Sequence, residues 1–131
     1  MKNLILYMLL LIIVSCSSKK EVQNKEVIYY GKTACLGKCP VFDFYAFSDG
    51  KVIYEGIKNV DKKGKYTFKI PKNKLEEIQK EIMRLSSEGI SKSVRDIPNT
   101  IIKFSGKRIV VQNLQKLKKL DVLIQEVILS K

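Results

Sequence analysis

The chain has 131 residues, 45% of them hydrophobic and 29% charged, with 25 Lys+Arg against 13 Asp+Glu for a formal charge of +12. That length allows one domain and little more, and seven Gly, three Pro and this apolar content exclude a collagen-like, low-complexity or globally disordered chain. No histidine is present, which removes the commonest general base, the usual proton switch near neutral pH and the commonest metal ligand.

The first element predicted in chain order is a targeting segment. Lys2 precedes an unbroken apolar run from Leu4 to Val14. A permanent membrane span needs about 20 residues, so the run reads as a secretory signal. The sequence Ile13-Val14-Ser15-Cys16 that follows resembles the lipobox of bacterial lipoproteins. The resemblance implies a signal peptide over residues 1–15, removed just before an acylated Cys16, whereas an unlipidated signal or a buried N-terminal strand is the plain alternative. Acyl burial contributes roughly 0.8 kcal/mol per CH2, so two or three chains hold a protein on the bilayer essentially permanently. Residues 16–25 (CSSKKEVQNK) then form the lipidated Cys and a polar, flexible tether, with a single domain over 26–131. Ser17 does not resemble an inner-membrane retention residue, so the expected location is the cell envelope at the outer membrane.

Within the domain, Glu26–Lys32 is β-branched and aromatic and predicts a first strand. A knot from Thr33 to Pro40 separates it from Val41–Ser48, whose apolar residues fall on both parities, as in a central strand covered on both sides. Asp49-Gly50 predicts a type I′ hairpin turn into Lys51–Glu55. After a polar stretch at 56–64, Lys65–Ile70 alternates, with Tyr66, Phe68 and Ile70 on one face. Pro71 ends that strand, and a helix is expected to open near Asn73 with Glu76 at capping-box spacing. Leu75, Ile78, Ile82 and Leu85 form its apolar stripe, and Gly89 is a natural stop. A loop over 91–99 leads to a second hairpin, Thr100–Phe104 and Lys107–Gln112 around Ser105-Gly106. Asn113 then caps a closing helix with apolar positions Leu114, Leu117, Leu120, Ile124 and Val127 or Ile128. The order β-β-β-β-α-β-β-α predicts an α+β fold: an antiparallel sheet of five to six strands with two helices packed on one face.

The basic balance invites a nucleic-acid reading, which other observations weaken. Export separates the protein from the genome, the cations are 22 Lys against 3 Arg, and base or phosphate readers favour the Arg fork. No basic run is interleaved with aromatics as a single-strand binder requires. A solvated Lys-rich surface, or attraction to anionic headgroups or envelope polymers, accounts for the charge.

Cys35-Leu36-Gly37-Lys38-Cys39-Pro40 is the one internal motif with chemistry in it. Two close thiols in an oxidising compartment are expected to form a disulfide, with a turn at Gly37 bringing the Cα atoms into range. A redox-active pair, a metal site built on both thiolates and two free buried thiols are the alternatives. The spacing also resembles the copper motif of Sco-type chaperones, but those add a His and a thioredoxin fold, and this chain shows neither. Together with Asp49-Gly50 and Tyr54-Glu55-Gly56, the run from Ala34 to Phe42 resembles an uncharacterised domain family of bacterial envelope lipoproteins and secreted proteins. Its core reads Cys-x-Gly-x-Cys-Pro-x-Tyr, a Gly-Asp-Gly hairpin and Tyr-Glu-Gly, and Asp96-x-Pro98 before a hairpin and a Leu-rich closing helix match as well. The likeness spans about residues 26–129, with Phe42 where Tyr is usual and Ser48 where Gly is common. It implies fold and location but no reaction.

The remaining candidates have structural explanations. Asp43, mid-strand between Phe42 and Phe44, faces solvent or a neighbouring Lys; Asp96 caps a turn. Tyr29, Tyr30, Tyr45, Tyr54 and Tyr66 pack across strands or line a binding face. No catalytic residue, metal or cofactor is implied. The expected protein is a lipid-anchored, non-enzymatic envelope protein that binds a protein or polymer partner, and a thiol-redox or copper-handling protein using Cys35 and Cys39 is the alternative.

Overall fold

The structure, a computed structural model, describes residues 25–87 and 97–131. Cys16, the signal and tether, Gly89 and Asp96 lie outside the described residues. Six strands form one antiparallel sheet: β1 (Glu26–Lys32), β2 (Val41–Phe47), β3 (Lys51–Lys58), β4 (Gly64–Lys69), β5 (Thr100–Phe104) and β6 (Lys107–Val111). Two helices join them, α1 (Lys72–Ser87) between β4 and β5 and α2 (Leu114–Leu129) after β6. The strands lie in the order β4-β3-β2-β1-β5-β6. The α+β architecture read from the alternation is therefore the one that forms.

One face of the sheet makes the core. A cross-strand row of Tyr66, Tyr54, Phe44, Tyr30, Ile102 and Ile109 runs through all six strands on that face. The stripe Leu75, Ile78, Ile82 and Leu85 of α1 and the residues Leu117, Leu120, Ile124, Val127 and Ile128 of α2 are buried against it. The helices run antiparallel: Lys74 near the start of α1 meets Glu126 near the end of α2, and Arg84 near the end of α1 donates to the carbonyl of Lys116. Since α2 starts beside β6, reaches Tyr30 of β1 through Asp121 and ends at Lys62 beyond β3, it crosses the strands rather than following them. Among the described residues, every core residue lies between Ile28 and Ile128.

Four local expectations are corrected. Strand β2 is central, but no described residue covers its second face; the parity that suggested two covered sides reflects half-buried side chains on an open face. The turn at Asp49-Gly50 is not type I′: Gly50 alone has a positive φ, of 80°, and the Phe47 carbonyl accepts from the Gly50 amide across a three-residue connection. The type I′ geometry sits instead at Ser105-Gly106, with φ of 50° and 75°. Helix α1 begins at Lys72, with the Pro71 carbonyl accepting from the Lys74 and Leu75 amides, so Asn73 and Glu76 form no capping box. Leu114 leaves the apolar stripe of α2 and is 63% exposed. Asn113 caps α2 as read, its side chain accepting from the Gln115 and Lys116 amides.

Candidate functional site

The Cys loop leaves β1 at Thr33 and enters β2 at Val41. Cys35 and Cys39 are joined in a disulfide with a Cα separation of 5.8 Å, and the Gly37 amide turns back to the Cys35 carbonyl. Hydrogen bonds hold the loop on both flanks. Thr33 and Asn99 exchange backbone and side-chain bonds of 2.9–3.3 Å, and the Asn59 amide group donates to the Cys39 carbonyl at 3.0 Å. Pro98, ahead of Asn99, is half-buried beside this junction. Leu36 at the loop tip is 86% exposed.

The motif residues divide between the two ends of the sheet. At the Cys-loop end, Pro40, Tyr54, Asn59, Lys62 and Ile128 line a cavity of about 140 Å³, next to a second of about 160 Å³ between Tyr54, Tyr66, Phe68 and Lys131. Lys62 closes the space between them by donating from Nζ to the Ile128 carbonyl at 3.0 Å. Asp49 and Gly50 lie at the other end. There the Asp49 carboxylate accepts from the Lys51 amide and the Gly50 carbonyl from the Ile70 amide, which fixes β4 against the turn. Glu55 is exposed on the opposite face of the sheet from Tyr54 and Gly56.

Gly56 has a geometric reason. The Tyr54 ring lies along its own strand over Gly56, and its hydroxyl donates to the Lys62 carbonyl at 3.1 Å. A Cβ at position 56 would stand 1.9 Å from that carbonyl oxygen and 2.8 Å from the Tyr54 hydroxyl. The same device recurs on the other face in Tyr29-Tyr30-Gly31. There the Tyr29 hydroxyl crosses Gly31 to donate to Asp43 at 2.6 Å, and a Cβ at 31 would meet that hydroxyl at 2.2 Å. In both, an aromatic ring covers the backbone that a strand glycine leaves bare. Asp43 is thus satisfied by a tyrosine, not by a lysine.

The sheet face opposite the helices carries a second row, Thr67, Ile53, Tyr45, Tyr29, Lys103 and Arg108, one residue from each strand. The Tyr29 and Tyr45 rings stand 5.1 Å apart, and the Lys103 ammonium sits 5.0 Å above the Tyr29 ring. Burial and then the bond to Asp43 hold the Tyr29 phenol above its ordinary range, and burial raises Tyr45 as well.

Two polar clusters in the core layer have no local sequence signal. Asp121 of α2 accepts from the buried Tyr30 hydroxyl and pairs with Lys32 at 2.7 Å, contacts that span 91 and 89 residues. Burial first, and Asp121 second, push the Tyr30 phenol well above its ordinary range. Glu81, 3% exposed, joins the helices by pairing with Arg84 at 2.6 Å and Lys119 at 3.2 Å. The Arg84 bond is the largest influence holding its carboxyl below the usual range. Among the described residues no three His, Cys, Asp or Glu side chains converge as a metal set would.

Residues 26–128 match the family described as Domain of unknown function (DUF6438), and the chain belongs to that family. No curated protein and no solved structure matches the chain.

Proposed function

We propose that this DUF6438 member is a lipid-anchored protein of the bacterial cell envelope, held at the outer membrane by acyl chains on Cys16. Its disulfide-pinned domain binds a protein partner rather than catalysing a reaction. The lipobox-like Ile13-Val14-Ser15-Cys16 and the polar stretch after it support the anchor. The observation that carries the binding role is the open face of the sheet. A helix layer that covers one face leaves the other to solvent or to a partner, and here that face presents Tyr29 and Tyr45 in contact, flanked by Ile53 and by the cations Lys103 and Arg108. Paired tyrosines offer large, rigid contact area with a polar tip, the composition enriched at protein interfaces. The disulfide fits a domain exported to an oxidising space.

A photo-crosslinking residue at Tyr45 in the full chain, expressed in its own cells, tests the binding role. One adduct of defined mass is expected at Tyr45 and at Ile53 and none at Lys63. Equal adducts at all three positions, or none at Tyr45 and Ile53, would contradict it. Cys16→Ala is expected to release the protein from the membrane fraction, and unchanged fractionation would contradict the anchor.

The position of the Cys pair favours a second reading. The half-buried Cys35 and Cys39 flank an exposed tip, where reductants and metals reach them, so a thiol-redox or copper-handling role is the alternative. Alkylation of the native chain separates the two: thiols that stay protected under mild reduction support the structural pair, and thiols that cycle readily or take up one copper support the alternative.

A further inference from the structure

We propose that the edge of the sheet at β4 takes an extended segment of another protein as a further antiparallel strand. A ladder leaves its outermost strand with a row of donors and acceptors that another extended backbone matches at the same spacing. The register fixes which groups these are. The Ile70 amide donates inward, to the Gly50 carbonyl, and groups facing one neighbour recur at every second residue. Phe68, Tyr66 and Gly64 therefore turn their backbone groups to Val52, Tyr54 and Gly56 of β3, and Lys65, Thr67 and Lys69 turn theirs away from the sheet. Strand β4 closes the strand order, its pairing with β3 runs without a bulge, and the chain around it is described without a break from Lys25 to Ser87. Among the described residues nothing bonds those outward groups. Gly64, at a φ of 99°, ends the extended run, so the ladder stops short of Lys63.

What the segment carries follows from the two sides of β4. Its residues opposite Tyr66 and Phe68 point to the helix side. There a mainly apolar cavity of about 160 Å³ lies between Tyr66, Phe68 and the end of α2, walled also by Tyr54, Lys62, Ile128 and Lys131. An apolar cavity of about 150 Å³ holds a benzene-sized group, so a leucine side chain fits, and Tyr66, 41% exposed, gains cover. The alternate residues of the segment stand beside Lys65, Thr67 and Lys69 on the open face. Glu55 opposite Lys65, and Asp49 at 3.9 Å from Lys69, show the charge that these lysines accept from within the sheet, and the same charge suits the strand outside. A second copy of the chain is disfavoured. Two β4 strands centred on Thr67 would set Lys65 opposite Lys69 twice, with like charges directly opposed. The occupant is thus a segment of a different protein that alternates leucine-like with acidic residues. The edge is separate from the Tyr29–Tyr45 contact proposed above, so either fails without the other.

The test uses the chain from Ser17, which keeps every described core residue and lacks the anchor, and the end-blocked peptide Ser-Glu-Leu-Thr-Leu-Glu-Ser. Amide hydrogen exchange is followed residue by residue by NMR. Saturating peptide is expected to slow the Lys65, Thr67 and Lys69 amides by about tenfold or more, because they pass from water into a ladder. Arg108 and Val110 on the other edge are expected to stay unchanged. Methylating the peptide's threonine nitrogen removes its bond to the Thr67 carbonyl and leaves the protein untouched, and binding is expected to weaken about tenfold. Replacing both glutamates of the peptide by lysine is expected to abolish binding. Lys65→Glu with Lys69→Glu, shown to be folded by its melting curve, is expected to restore it. No binding of the parent peptide, protection spread equally to β6 or confined to Tyr29 and Tyr45, undiminished binding of the methylated peptide, or equal binding of the lysine peptide to the parent protein would each overturn the proposal.

Discussion

Gly56→Ala and Gly31→Ala are the same chemical change at two versions of one device, yet they are expected to differ severalfold in cost. At position 56 the new methyl meets the Lys62 carbonyl oxygen at 1.9 Å, and that atom belongs to the backbone between β3 and β4. Relief requires that connection to shift. It carries Lys62, whose ammonium is tied to the Ile128 carbonyl at 3.0 Å, and it holds the Tyr54 hydroxyl at 3.1 Å. Overpacking costs about 1–3 kcal/mol and the lost Tyr54 hydrogen bond about 1 kcal/mol, offset by about 0.5–1 kcal/mol for alanine over glycine within a strand, so a loss of about 1–3.5 kcal/mol follows.

At position 31 the obstacle is the Tyr29 hydroxyl at 2.2 Å, the end of a side chain that swings outward on the open face. The cost there is the Tyr29–Asp43 bond, about 1.5 kcal/mol, offset by about 0.5–1 kcal/mol because alanine is better than glycine within a strand. With about 4–8 °C of Tm per kcal/mol for a domain near 100 residues, Gly56→Ala is expected to lower Tm by roughly 5–25 °C and Gly31→Ala by less than about 8 °C. Thermal unfolding of the chain from Ser17, followed by circular dichroism, reads both. Adding Tyr54→Phe to Gly56→Ala is expected to restore nothing, because the Lys62 carbonyl remains in place. Equal losses at the two sites, or rescue by Tyr54→Phe, would refute the reasoning.

Three further outcomes follow from the polar clusters and the Cys loop. Cys39→Ser, or full reduction, is expected to lower stability by about 2 kcal/mol, the loop-closure value for so short a ring, and an unchanged melting curve would remove the structural role. Asp121→Ala leaves Lys32 without its ion pair and Tyr30 without its acceptor. A loss of about 2–3 kcal/mol is expected, below the fully buried case because the Lys32 and Asp121 side chains keep some solvent, and chemical denaturation measures it. Glu81 has a folded pKa below its unfolded value, so its contribution is complete above the unfolded value and disappears as pH falls through the folded one. Glu81→Gln is therefore expected to be less stable than the parent near neutrality and to flatten the acid limb, so that the two converge in strong acid. Parallel curves down to strong acid would contradict the assignment.

Period-two alternation and turn residues made the strands legible, and 3.6-residue stripes made the helices legible, because each element's burial is written into its own residues. The stripe Leu75–Leu85 is a clear example, whereas in β4, at the edge of the sheet, the alternation marked the strand but only Phe68 is half-buried. What stayed hidden depends on other parts of the chain. Asp121 reads as a surface residue of an amphipathic helix until the fold brings Tyr30 and Lys32 to it across some ninety residues. Glu81 is buried only because two helices meet over it. The mixed parity of β2 records a face that is half-covered by its own rings, and composition does not separate that from a second packed layer. The spacing of Tyr54 to Gly56 and of Tyr29 to Gly31 was visible in the chain. Its meaning appears only when a strand puts residues i and i+2 on one face and the ring reaches across the glycine to a carbonyl in one case and to a carboxylate in the other.

The envelope account turns on the chemistry at one sulfur. Intact-mass spectrometry of the protein extracted from its own membranes is expected to show a chain beginning at Cys16, heavier than its residues by a diacylglyceryl group and further acyl mass. A chain still carrying Met1, or an unmodified thiol at position 16, would contradict it.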